Sequence, residues 1–335
     1  MTELTETRSS LRILGALVAG VVYGLLLRIG FETKTLLPFL QIVSTAFLVV
    51  APFSVGAVSV LVAAGRQHIS VGQQISIATT TMLFFLLAMF LCLLEGLVCL
   101  VLVAPVFLIS SIMGGLLGGW VNNHFRVTKA TLSSFAFLPL LLGPIEANLP
   151  PSLSEQAVST SIFIQAAPEQ VFDHLASVKN IAPGELGFSF VHLIGLPKPV
   201  EAEMDGSGPG SVRTSRWQKG VQFQEIITAW DRPQLMHYRF NIQPGSIPRD
   251  ALDRHVEMGG EYFTVTDGGY DLRSAGGGTE LTLTTRFVNK SQLKLYGDLW
   301  GKIVLNDFHH SILGLMKHRA ENSQSNSNQQ AAFIH

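Results

Sequence analysis

The sequence predicts an α-helical transmembrane bundle followed by an α+β domain in which an antiparallel sheet wraps on a long carboxy-terminal helix. Three observations predict it. Ile75–Val121 is a 47-residue run whose only ionisable side chains are Glu95 and the thiols of Cys92 and Cys99. One bilayer-spanning helix needs about 20 apolar residues, so the run is long enough for two. Charge then divides the chain: residues 1–150 carry seven Lys or Arg and five Asp or Glu, against sixteen and nineteen in residues 151–335. Finally, the apolar pattern changes from continuous runs to strand-like alternation near Val158, and closes on offsets of three and four across Gln292–Arg319.

Backbone amides inside a bilayer must be satisfied within their own segment, which makes the apolar runs helices. Five spans are expected within residues 1–145, at 13–27, 36–64, 75–94, 97–121 and 130–145. The first follows Arg8 and Arg12. A basic start before a short apolar stretch can be a secretory signal, but no small-x-small cleavage site follows, so a retained span is expected. Gly20 with Gly24, Gly114 with Gly118 and Gly115 with Gly119 stand four apart, a spacing that lets helix backbones approach closely. Pro38 and Pro52 fall in the second span and Pro105 in the fourth. Residues 130–145 are short for a span and contain Pro139 and Pro144.

Orientation follows from the basic residues of the loops. With five spans and the amino terminus inside, Arg8, Arg12, Arg66, Arg126 and Lys129 lie inside, against Arg28 and Lys34 outside. The second half then lies on the outer side, the periplasm of a Gram-negative cell with this chain in its inner membrane. If 130–145 does not cross, it lies in the cytoplasm instead.

Residues 146–156 read as a Pro/Ser-rich linker, and a domain is expected over 157–321. Val158, Thr160, Ile162 and Ile164 alternate as in a strand, and Pro168-Glu169 opens a short helix with Val171, Phe172 and Leu175 on one face. Strands are expected at Gly210–Trp217, Val221–Trp230, Leu235–Ile242, Glu261–Arg273 and Thr279–Asn289, separated by turn residues. A last amphipathic helix follows, and the Ser/Asn/Gln-rich residues 322–335 read as a disordered tail. A curved sheet on such a helix tends to leave a space between them, the natural place for a ligand.

The run from Ser159 to Leu175, with its Ala166-Ala167-Pro168-Glu169 turn, resembles the opening of the START-like superfamily, also called the SRPBCC or polyketide cyclase/dehydrase and lipid-transport group. Phe223–Phe240 is similar to its central hairpin, and Leu299–Glu321 to its closing helix. The resemblance implies a helix-grip domain with a cavity for an apolar or amphipathic ligand such as a lipid. It transfers no catalytic motif, since the group contains binding proteins, lipid carriers and some enzymes.

The slightly acidic second half excludes nucleic acid, which needs a concentrated basic surface. Both cysteines sit in the apolar run, so no disulfide framework exists. No nucleophile elbow or nucleotide loop is present, and Gly206–Gly210 leads into a strand rather than a helix. No cofactor is expected. His255 and Glu257, and Asp307 with His309 and His310, lack the spacing of a closed metal-ligand set, so no metal site is assigned. Phe223, Glu225, Tyr238, Phe240, Trp300 and Phe308 are the candidate ligand-binding residues, with Met316 as further wall. Glu225 shares a strand face with Phe223 and Ile227. It either anchors or activates a ligand, or pairs across strands with Arg213 or Arg239. Glu95 either lies in a helical hairpin turn at the water interface or is a buried carboxylate with a transport task. The expected function is membrane-anchored binding of a hydrophobic small molecule. The alternatives are a cyclase-like enzyme using Glu225 or His255, and a transporter built on Glu95 with the second domain as sensor.

Overall fold

The computed structural model describes residues 2–32, 44–65, 67–148, 153–248, 251 and 258–333, in two compact units divided after Pro151. The first unit contains α1 (Thr2–Glu32), a π-helical turn (Ala46–Val50) running into α2 (Ala51–Ala64), α3 (Val71–Leu91), α4 (Leu97–His124) and α5 (Lys129–Ala147). Among the described residues, four helical segments are long and apolar enough to cross a membrane: Ser10–Glu32, Ala46–Ala64, Val71–Leu91 and Leu97–His124. The helix over the fifth expected span, α5, is not among them. Lys129, Glu146, its Ser/Thr-rich first turns and two prolines lower its hydropathy. Pro38 lies outside the described residues. Pro52 sits in the first turn of α2, directly after the π-helical turn. The π-helical turn just before it takes up the register, with the Ala51 N–H bonded to the Ala46 carbonyl.

The glycine pairs lie where the helices touch. A Cβ on Gly114 would overlap the Phe53 carbonyl, and one on Gly118 would lie 2.9 Å from the Ala57 carbonyl oxygen, both on the α2 side. One residue on, Gly115 faces Ala78 of α3 at 2.7 Å, and Gly119 faces Gln74. Adjacent residues are 100° apart on a helix, so the two stripes of α4 receive two different neighbours.

The bundle has two polar ends. At one, Arg12 Nη2 donates to Gln67 Oε1 (2.6 Å), while the Asn122 and Asn123 amides donate to the Gln67 and Ile69 carbonyls (2.9 Å each). At the other, Arg28 is 1% exposed and Glu95 lies in the α3–α4 turn. Arg28 Nε donates to Glu95 Oε1 at 2.9 Å, Nη1 to Glu32 Oε2 at 2.6 Å and Nη2 to the Leu94 carbonyl at 3.1 Å. Glu146 of α5 accepts the N–H groups of Thr45 and Ala46 at 2.6 and 2.8 Å, filling donors left open at a helix start.

The second unit is a seven-stranded antiparallel sheet in the order β1-β7-β6-β5-β4-β3-β2, gripping a long helix. The strands are β1 (Ser154–Ile164), β2 (Pro199–Asp205), β3 (Val212–Trp217), β4 (Gln222–Asp231), β5 (Leu235–Asn241), β6 (Phe263–Ala275) and β7 (Gly278–Asn289). Helices α6 (Pro168–Ala176) and α7 (Phe190–Leu193) fill the crossover from β1 to β2, and α8 (Lys294–Phe333) closes the fold. Bulges at Ile227/Ala229 and Val265/Asp267 accompany the curvature. Edge strand β2 escapes sequence reading because only Ala202 is buried in it. Where the composition of residues 322–335 pointed to a disordered tail, α8 continues to Phe333.

Polar side chains pin helix α8 along its length. Buried Asp298 accepts from Asn289 Nδ2 (2.9 Å) and Ser154 Oγ (2.8 Å). Asp307 accepts the Ser189 hydroxyl (2.6 Å) and the Val191 N–H (3.0 Å) at the start of α7. Arg319 reaches both carboxylate oxygens of Glu185 at 2.9 and 2.8 Å. That fork holds the Glu185 carboxyl well below its usual range, at about 2.

Candidate functional site

Between the concave face of the sheet and α8 lies a cavity of about 90 Å³. Its wall follows from strand alternation, because inward positions two apart share one face. Strand β3 contributes Arg213, Ser215 and Trp217, β4 Phe223 and Glu225, β5 Tyr238 and Phe240, β6 Val265 and Tyr270, and β7 Leu283 and Thr285. Leu305, Phe308, His309, Ile312, Leu315 and Met316 form the facing stripe of α8. Half-buried Pro199 and Glu201 of β2 also line it.

Five of the six residues singled out from sequence line this cavity: Phe223, Glu225, Tyr238, Phe240 and Phe308. Trp300 does not. It lies about 120° round the helix from Ile312, against Tyr296 with ring centroids 6.4 Å apart. The aromatic members form a connected chain: Phe308 on Trp217 (5.4 Å), Trp217 near Phe223 (5.9 Å), Phe223 near Phe240 (5.8 Å) and Phe240 edge-on to Tyr238 (5.3 Å). Such contacts fix ring orientation as well as bury area.

One region of the wall is polar. Arg213 and Glu225, each 4% exposed, stand opposite one another in the β3–β4 register, with Arg213 Nη1 donating to Glu225 Oε2. Ser215 Oγ donates to Glu225 Oε1 at 3.1 Å. Of the two cross-strand partners weighed for Glu225, Arg213 is the one it has; Arg239 is exposed on the other face. Burial alone would lower the Arg213 pKa, but the charge and hydrogen bond of Glu225 together with the neighbouring Tyr270 and Tyr238 outweigh it and raise the value. Tyr238 and Tyr270 lie beside the pair with their ring centroids 6.2 Å apart. Burial raises both phenols, Tyr270 to about 12, so both are neutral at physiological pH.

His309 lies on the α8 side, its Nδ1 3.1 Å from Thr160 Oγ1 and its Nε2 2.9 Å from Thr285 Oγ1. Burial, with a smaller contribution from His310, lowers its pKa to about 4, so the imidazole is neutral at pH 7. The three residues of the Asp307–His310 cluster point in different directions: Asp307 to α7, His309 inward, and His310 to the Asn306 carbonyl at 2.7 Å on the exposed side. Among the described residues no group of three could hold a metal ion. His255 and Glu257 lie outside them.

Sequence reading missed Arg213 and Tyr270 as cavity members. In Val212-Arg-Thr-Ser-Arg-Trp217 both faces are polar, so alternation cannot tell which looks inward. Tyr270 follows two glycines and the β6 bulge, which shifts the face it would otherwise occupy.

Residues 155–313 match the family model described as polyketide cyclase / dehydrase and lipid transport. Similar solved structures include a protein of unknown function from Staphylococcus aureus, 13% identical over 52% of this chain and 98% of its own, with a TM-score of 0.35. Others are truncated norcoclaurine synthase from Thalictrum flavum (12%, 52% and 98%, TM-score 0.31) and the di-domain ARO/CYC BexL of the BE-7585A biosynthetic pathway (13%, 58% and 56%, TM-score 0.31). No curated protein matches the chain.

Proposed function

We propose that the helix-grip domain matched over residues 155–313, a ligand-binding fold of the polyketide cyclase/dehydrase and lipid-transport group, binds an apolar small molecule between β3–β7 and α8, and that the first unit anchors it in a membrane. A membrane lipid is the leading candidate. The observation that carries this reading is the cavity itself: an aromatic and aliphatic wall with one buried polar corner, the composition of a small-molecule site. Its volume of about 90 Å³ is below the roughly 150 Å³ of an engineered pocket that takes up benzene. It therefore takes the end of a ligand, and a whole acyl chain requires the space between sheet and helix to widen. Native mass spectrometry of the full chain, released gently from membranes, tests the reading. A small molecule retained at one per chain supports it; a chain that is always empty and takes up no apolar compound contradicts it.

The bundle supports an orientation. The Lys129 end of α5 follows the α4 terminus, whose asparagines bond the Gln67–Ile69 loop, whereas its Glu146 end caps Thr45 and Ala46 at the opposite end. Nineteen helical residues extend about 28 Å, close to the thickness of a hydrocarbon core of about 30 Å. In this reading α5 is a fifth span despite its lower hydropathy, and the Arg12 and Lys129 end is cytoplasmic. The binding domain is then periplasmic in a Gram-negative inner membrane. Protease cleavage of residues 157–321 in spheroplasts but not in intact cells is the expected result; protection in spheroplasts would place the domain in the cytoplasm.

A second reading, acid–base catalysis on the bound molecule, is favoured by the convergence of Tyr238, Tyr270, Arg213 and Glu225 on one corner. Because Glu225 is bound up with Arg213, a phenol is the better proton donor here. Tyr270→Phe would abolish turnover but leave binding intact if this reading holds.

A further inference from the structure

Two arginines of α1 have opposite surroundings. Arg28 gives its donors to Glu95, Glu32 and the Leu94 carbonyl. Half-buried Arg12 has a neutral partner instead, its Nη2 donating to Gln67 Oε1 at 2.6 Å, and among the described residues no carboxylate pairs with it. Arg12 also lines a cavity of about 190 Å³ between α1, the end of α2 and the start of α3. That exceeds the roughly 150 Å³ of an engineered pocket that takes up benzene.

The lining has two characters. Ala64, Ile69 and Ile77, all buried, give it an apolar side; Gln67, His68, Gln73 and Ser76, all exposed, give it a polar one. No carboxylate lines it among the described residues. The hydrogen bonds decide what the polar side offers. Gln67 Oε1 is taken by Arg12, and Gln73 Oε1 by the Ser70 N–H and hydroxyl at 3.0 and 3.1 Å. A guanidinium and a backbone N–H can only donate, so each carboxamide must turn its oxygen to them, which leaves both NH2 groups as donors. Helix α3 starts at Val71 and adds the positive end of its dipole. The loop is already fixed, with the Gln67 carbonyl held by Asn122 and the Ile69 carbonyl by Asn123 and Gln74, at 2.9 Å each. An anion placed here gains a guanidinium and two amide donors without the cost of ordering the loop.

One arginine beside an apolar side matches a singly charged phosphodiester joined to a lipid. An ammonium group would find no carboxylate to meet it. Basic pockets between membrane helices hold lipid headgroups in this way. We propose that the pocket at the Arg12 end of the bundle binds the phosphate of an anionic phospholipid whose headgroup is otherwise uncharged and hydroxylated, as in phosphatidylglycerol. Arg12 takes a phosphate oxygen, the Gln67 and Gln73 NH2 groups and the Ser76 hydroxyl serve the remaining oxygens, and the apolar side receives the glycerol backbone. The proposal rests on the first unit's lying in a membrane and is independent of what the helix-grip cavity holds.

Native mass spectrometry of the full chain, delipidated in detergent and titrated with lipids of matched acyl chains, tests it. Wild type is expected to bind phosphatidylglycerol about ten-fold or more tighter than diacylglycerol, which lacks the phosphate and its charge-assisted hydrogen bond, with phosphatidylcholine between them. Two variants remove the site in different ways. Arg12→Gln deletes the charge. Gln73→Glu keeps the Ser70 capping box and suits the first turn of a helix, so the fold is retained while a carboxylate enters the pocket. In both, the advantage of phosphatidylglycerol should fall to about two-fold or less. Exposed Arg126, which follows α4 and does not line the pocket, is the control, and Arg126→Gln should keep the preference. Inorganic phosphate in millimolar excess should leave phosphatidylglycerol bound.

Equal binding of phosphatidylglycerol and diacylglycerol by wild type, or a preference kept by Arg12→Gln and Gln73→Glu, overturns the proposal. Loss of preference in Arg126→Gln reveals general charge attraction and does the same, and displacement by inorganic phosphate makes the occupant a free anion and overturns the lipid assignment. Neither pocket variant touches the helix-grip cavity, so lipid held there weighs equally in every chain. Recovery of the chain in the soluble fraction without detergent overturns the membrane reading itself, and this proposal with it.

Discussion

Acidification should destabilise the second unit through His309. The imidazole is 2% exposed, clamped between Thr160 on β1 and Thr285 on β7, and its pKa falls to about 4 from an unfolded value of 6.5. Between those two values the unfolded chain binds a proton that the native state refuses. Stability therefore rises with pH across the window: the contribution is complete above about pH 6.5 and is lost as pH falls toward 4. Each pKa unit corresponds to about 1.4 kcal/mol, so the loss is of the order of 3 kcal/mol, a large part of a typical domain's 5–15 kcal/mol. Glu185, held at about 2 by Arg319, loses its contribution from about pH 4.5 downward, equally in wild type and variant. Urea unfolding followed by tryptophan fluorescence reports on the unit through Trp217, Trp230 and Trp300. Comparing wild type with His309→Gln from pH 7 to 4 isolates the step, because other carboxylates titrate alike in both. The wild type should lose about 3 kcal/mol more than the variant over that range. Identical pH profiles would refute the placement of a neutral, desolvated His309 in the core.

The Arg213–Glu225 pair should behave as a unit: either residue changed alone to Met costs about 3–5 kcal/mol by stranding the other, whereas the double change falls within about 1 kcal/mol of wild type, read by the same unfolding assay. In the first unit, Gly114→Ala should destabilise by about 1–3 kcal/mol because its methyl meets the Phe53 carbonyl, while Gly72→Ala, with open space at its Cβ, should be neutral or mildly stabilising; thermal melting in detergent separates them. Glu95→Gln leaves Arg28 with Glu32 and the Leu94 carbonyl and should lower stability by about 3 kcal/mol, the low end for a broken buried pair. If Glu95 instead carries protons or ions, the same change abolishes a proton-coupled flux in proteoliposomes and leaves the melting temperature unmoved.

Much of the fold is legible wherever burial writes a period into the chain. Strands β1, β4, β5 and β7 alternate because one face meets α8, and α8 shows its offsets of three and four because one stripe meets the sheet. Strand β2 is silent for the same reason inverted: it lies at the sheet edge, and Glu201 and Glu203 pair with Arg216 instead of packing. The glycine spacing in α4 shows that close contacts form there; that Gly114 and Gly115 serve different neighbours depends on the arrangement of three helices. At the site, aromatic wall positions can be read from alternation along β4 and β5. Charge does not reveal its depth in the same way: Arg213 and Arg216 lie three apart on one strand, and only the assembled fold makes one a buried partner of Glu225 and the other a surface partner of Glu201. Trp300 misleads because an amphipathic helix has a broad apolar face, of which the cavity takes only part.

Ala202, buried on β2 and part of the cavity wall, offers the most direct test of the claim that this space exists to be filled. Ala202→Leu places a branched side chain in the void where the ligand is proposed to sit. Native mass spectrometry of wild type and variant, prepared in parallel from the same membranes, should show a retained small molecule in the first and none in the second, with unfolding midpoints that agree closely. Equal retention by both chains, or none by either, would contradict the account.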